Sequence, residues 1–134
     1  MRRRFWVVSL NPVNAYKKVE QETQSGRDIE ASVLVKAAEK LKDCQDNWES
    51  LERDKKLDES LKFNQLIWSI FQSELAAEDN PLPKPMRLNL LRLSAFIDGR
   101  SLETMAYPAS EKLTILININ RNIAAGLREQ PKAS

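Results

Sequence analysis

The clearest regular pattern in the chain is a set of apolar positions, Leu34, Ala37, Leu41, Cys44, Trp48 and Leu51, that recur at alternating steps of three and four. That spacing keeps side chains on one face of a helix. Between them lie Lys36, Glu39, Lys40, Lys42, Asp43, Asp46 and Glu49, a charged face of the kind that stays solvated. Upstream, Asn11 followed by Pro12 reads as a helix start, with Val13, Tyr16, Val19 and Thr23 forming a modest stripe on a short first helix. Ser25 and Asp28 have capping-box spacing, so a second helix is expected from about Gly26, with that glycine as the break.

"ERDKKLD" interrupts the pattern between Arg53 and Leu57, and Asp58 is the expected cap of a third helix. This helix contains "LKFNQLIWSIFQSEL", where Leu61, Trp68, Phe71 and Leu75 make a core-facing stripe. Phe63, Leu66, Ile67 and Ile70 widen the stripe into an arc broader than a surface helix requires. The surplus belongs either to a central position in the fold or to a surface kept for a partner.

"NPLPKP", Asn80 to Pro85, forces extended or turning backbone, because each proline lacks a donor and restrains the residue before it. A fourth helix follows, with Met86, Leu90, Leu93 and Ile97 on one stripe and Leu88, Leu91 and Phe96 beside it. Gly99 either ends this helix or sits inside it at a cost of about 1 kcal/mol relative to Ala. "YPAS" marks the next break, and Ser110 is the expected cap of the last helix. "TILININ" alternates as a half-buried strand would, yet Leu113, Leu116, Asn120, Ile123 and Leu127 fit a helical stripe over a longer window. No partner strands are in evidence, and the segment reads as helix.

The pattern therefore predicts an all-α fold, a compact bundle of about five helices with successive helices antiparallel. Its expected core is Leu34, Leu41, Trp48, Leu61, Trp68, Phe71, Leu116 and Ile123. At 134 residues the chain has room for one such core, assigned to a single domain over 11–130 with an N-terminal extension over 1–10. A composition of 42% hydrophobic and 30% charged residues with three glycines agrees with a charged helical protein.

Charge and chemistry narrow the function by exclusion. The formal net charge is +2, and without Arg2, Arg3 and Arg4 it would be −1 (2 − 3), with acids and bases interleaved from Lys17 to Lys62. Direct nucleic-acid binding, which needs a concentrated basic face, is not expected. There is no histidine and a single cysteine, Cys44, which rules out a Ser-His-Asp triad, a Cys-His pair and a Cys/His zinc site. Cys44 is expected to pack as a small apolar residue. Phosphate-loop and dinucleotide fingerprints are missing, and the adjacent acids Asp58 with Glu59 and Glu78 with Asp79 read as caps or solvated charge. A binding or regulatory module without cofactor or metal is expected, not an enzyme. No apolar run spans a bilayer, and "MRRRFWVVSL" stops at Asn11 and Pro12 before a full signal-peptide core or cleavage site, so the expected location is the cytoplasm.

The segments "NAYKKVEQETQSGRDIEASVLVKAAEKL", "LDESLKFNQLIWSIFQSEL", "LPKPMRLNLLRLSAFIDGRSLE" and "EKLTILININRNIAAGL", in that order, resemble the alphaproteobacterial flagellar biosynthesis regulator FlaF family over most of Asn14 to Leu127. The resemblance implies a cytoplasmic helical protein needed for flagellin production and flagellum assembly. Two mechanisms remain open: a flagellin-binding export chaperone, or a post-transcriptional regulator acting on flagellin messenger RNA or through the repressor FlbT. The implied partners are flagellin and FlbT, with no membrane. Members begin just before the "NAY" segment, so the opening "MRRRFWV" departs from the family and suggests translation from Val8 through a GTG codon. On the chaperone reading, Phe63, Leu66, Ile67 and Ile70 line a groove for an amphipathic flagellin helix, with Leu88 and Leu91 as further walls.

Overall fold

The computed structural model describes the backbone of residues 12–129 and the side chains of residues 26–129. It contains four α-helices, α1 (Pro12–Asp46), α2 (Arg53–Ala76), α3 (Lys84–Ala106) and α4 (Leu113–Glu129), with a 3-10 turn over Ser110–Lys112 before α4. No strand occurs among the described residues, and "TILININ" is helical as its longer period predicts. The expected cap Asn11 and the 1–10 extension lie outside the described residues.

Four helices replace the expected five because Gly26 does not break the chain: it lies buried within α1, which runs unbroken through it. One interior glycine costs about 1 kcal/mol, less than the price of ending one helix and nucleating another. The second correction concerns "ERDKKLD". Helix α2 already begins at Arg53, so Asp58 is an interior residue and not a cap. Leu57, only 4% exposed, starts the buried stripe of α2, which continues through Leu61, Asn64 and Trp68 at steps of four and three. The turn between α1 and α2 lies at Asn47 to Glu52, closed by hydrogen bonds from Ser50 N to Asn47 O and from Arg53 N to Ser50 O. Leu51 therefore leaves the α1 stripe and is fully exposed, while Trp48 is half-buried beneath the Arg53 guanidinium, 4.4 Å from its ring.

The proline segment separates α2 from α3 as expected, with Pro85 inside the first turn of α3, and Gly99 sits within α3. Ser110 is the first residue of the 3-10 turn and not its cap, the N-cap position being held by Ala109.

Successive helices are antiparallel. Lys56 on α2 reaches Asp43 on α1 at 3.4 Å, and Gln72 on α2 donates to Ser94 Oγ on α3 at 2.9 Å. Gln45 near the end of α1 donates to Ser110 O and Thr114 Oγ1 at the start of α4, while Arg128 near the end of α4 donates to Ser32. The most extensive seam is α1 against α4, and the small residues Ala31 and Ala38 of α1 and Ala124 of α4 lie buried in the core. Helix α2 packs on α1 and α3, whereas α3 and α4 do not pack closely along their lengths. Of the expected core, Leu34, Leu41, Leu61, Trp68 and Leu116 are buried, and Trp48, Phe71 and Ile123 are partly buried against it.

Cys44 is buried in this core, as its apolar reading predicts. Burial pushes its thiol above the ordinary value, against the lowering influence of Arg53 and Lys56. With the folded value above the unfolded one, the linked stability is complete below the unfolded pKa and is lost as pH rises through the folded pKa. Near neutral pH the folded chain should label slowly with a thiol reagent and the urea-unfolded chain quickly; fast labelling of the folded chain would contradict this packing.

One polar network crosses the core. Trp68 Nε1 donates to Asn120 Oδ1 at 2.9 Å, and Asn120 Nδ2 donates to Asn64 Oδ1 at 2.7 Å, joining α2 to α4 with all three side chains buried. Asn64 Nδ2 is buried without a partner. Asn120→Ala leaves the indole N–H and the Asn64 carbonyl unpaired and should cost about 2–3 kcal/mol in urea unfolding. Asn64→Ala orphans one donor but removes another already orphaned, so its loss should be the smaller; the reverse order would show that the network does not carry the energy.

A candidate partner-binding cleft

The loose side of the bundle, between α3 and α4, opens into a cleft of about 610 Å³. Its floor is the end of the α2 stripe: Trp68, Phe71 and Leu75. Trp68 and Phe71 meet edge to face, with centroids 5.6 Å apart and planes at 86°, so each ring holds the other in place. Leu82, Met86 and Leu90 supply one wall from the proline segment and α3, and Ile123, Gly126 and Leu127 supply the other from α4. Arg27, Glu30, Glu74, Asn80 and Asn122 add polar groups to this largely apolar surface.

Local geometry explains the wall beside the prolines. Asn80 Nδ2 donates to Glu74 O, Asn80 Oδ1 accepts from Leu82 N, and Arg87 donates to Ala77 O at 3.0 Å, so the turn and the start of α3 are tied to the C-terminal end of α2 and its cap residue. Met86, 47% exposed, is thereby presented at the mouth. Gly126 lies on the opposite wall, where an added Cβ would meet nothing within 4 Å.

The six residues selected from sequence are not among those lining this cleft. Ile67 is 8% exposed and belongs to the core. Phe63 is partly buried, with the ammonium groups of Lys36 and Lys40 on α1 lying 5.9 and 5.3 Å from its ring centroid. Leu66 is 57% exposed and Ile70 half-buried, so the outward part of the α2 arc reduces to these two. Leu88 is exposed and Leu91 half-buried on α3, away from the cleft lining. Sequence reasoning instead gave Trp68, Phe71 and Leu75 to the closed core. No sequence signal marked them as cleft-lining: the small buried face of α3, Ser94, Ile97, Ser101 and Thr104, meets α2 through the Gln72–Ser94 bond and does not line the cleft.

No group of three His, Cys, Asp or Glu residues that could hold a metal occurs among the described residues. No described helix is long and apolar enough to cross a membrane. Neither a curated protein nor a solved structure matches the chain significantly. Residues 12–127, from the first residue of α1 almost to the end of α4, match the family model described as flagellar protein FlaF, and the chain therefore belongs to the FlaF family.

Proposed function

We propose that the chain is a non-enzymatic, cytoplasmic flagellin-binding export chaperone that promotes flagellin production and flagellum assembly. The cleft between α3 and α4 carries this reading: its apolar floor and walls suit the apolar side chains that an amphipathic helix presents at steps of three and four. Flagellin's terminal regions are helical in the filament and unpaired before assembly, so they expose such a surface. Covering it would keep flagellin from aggregating, and release at the export apparatus would return it. Family membership supports the flagellar setting.

The test is complex formation between the purified full chain and monomeric flagellin, followed by calorimetry. Binding with a negative heat-capacity change, the mark of apolar burial, is expected. No complex with flagellin, together with salt-sensitive binding to flagellin messenger RNA, would transfer the function to translational regulation.

A further inference from the structure

Helix α3 has an unusual distribution of bulk. Its fully buried face is Ser94, Ile97, Ser101 and Thr104. The Ser101 and Thr104 hydroxyls donate to the carbonyls of Ile97 and Arg100, both at 2.7 Å, so they satisfy themselves within the helix. Leu88, Leu91, Ala95 and Leu102 recur on another face at steps of three, four and seven. Leu88 is 42% and Leu102 61% exposed, Ala95 is exposed and Leu91 half-buried. Gly99 lies beside this stripe with open space where a Cβ would stand.

We propose that this face pairs with the same face of a second copy of the chain, the two α3 helices running antiparallel. Charge selects the partner and its direction. The first half of α3 presents Lys84 and Arg92 with no acid, Arg87 being tied to Ala77 O, while the second presents Asp98 and Glu103, the latter also paired to Arg100 and Lys112 of its own chain. An antiparallel pair lays the basic half of each copy against the acidic half of the other, whereas a parallel pair stacks like on like. Spacing agrees. With Ala95 at the twofold axis, Leu88 of each copy lies opposite Leu102 of the other, and Leu91 lies opposite Gly99. The smallest residues occupy the crossing and leucines close both ends, an arrangement that fits itself under twofold rotation. A single helix pair buries less than a standard interface, so the dimer is weak and reversible.

Sedimentation of the full chain from about 1 to about 100 µM tests the association. A monomer–dimer equilibrium is expected, and Leu102→Asp should weaken it at least about tenfold while the exposed site leaves the fold intact. Direction is read by cross-linking Leu88→Cys and Leu102→Cys chains. Each alone should link poorly, because its two copies of the cysteine lie about 21 Å apart along the pair, whereas a mixture should link readily. Cys44 is buried and does not compete. A chain that stays monomeric throughout, efficient Leu88→Cys self-linking, or a dimer indifferent to Leu102→Asp would each overturn the proposal. So would a monomer that loses flagellin on Leu102→Asp, since the face would then belong to flagellin.

Discussion

Ile67→Asp is expected to unfold the protein or to cost at least about 4 kcal/mol in urea denaturation, whereas Leu66→Asp, one residue earlier, should change stability by no more than about 0.5 kcal/mol. Ile67 is 8% exposed and packed in the main core, so aspartate there loses apolar burial and must bury a charge or drag its backbone outward. Leu66 is 57% exposed and loses little. The pair matters because both belong to the apolar arc that the sequence offers as a partner surface. Failure of Ile67→Asp to bind anything would report only a damaged core, while Leu66→Asp probes the surface itself. Similar stabilities for the two variants would refute the orientation of α2.

Blocking the cleft is expected to reduce flagellin binding by about 100-fold, roughly 2.7 kcal/mol, with the fold retained. Gly126→Phe is the cleanest variant. Its first added atom meets nothing within 4 Å, and replacing an interior helical glycine favours the helix, so the ring can enter the space an incoming side chain would use. Leu90→Asp attacks the opposite wall by charge, with some loss of stability because Leu90 is half-buried. Gly126→Ala, which adds a single carbon, should bind normally and be up to about 1 kcal/mol more stable. Full-strength binding by Gly126→Phe, judged against its own circular dichroism and melting curve, would remove the cleft from the mechanism.

The periodicity of this chain was most informative where one helix buries one continuous stripe. Leu34, Leu41 and Cys44 on α1, and Leu113, Leu116 and Asn120 on α4, fall in the core where their spacing places them. Local signals misled at helix ends. Gly26 and the pair Ser25 and Asp28 look like a boundary, but helix continuity outweighs a single glycine; the charged run before Asp58 looks like a linker, but Leu57 anchors it. The cleft was the least legible feature. Trp68, Phe71 and Leu75 do lie on the inward stripe, and whether such residues meet a neighbour or an opening depends on the separation of α3 and α4. That separation is a property of how the four helices pack together, which no single stripe encodes.

The seam between α1 and α4 also sets an order of events during synthesis. Helix α4 is made after α1, α2 and α3, so the contacts of this seam, far apart in sequence, must wait until α4 has left the ribosome. Until then α1 has α2 on one side only, and a nascent chain stalled before Leu113 offers the side that α4 covers to proteases and to other chains.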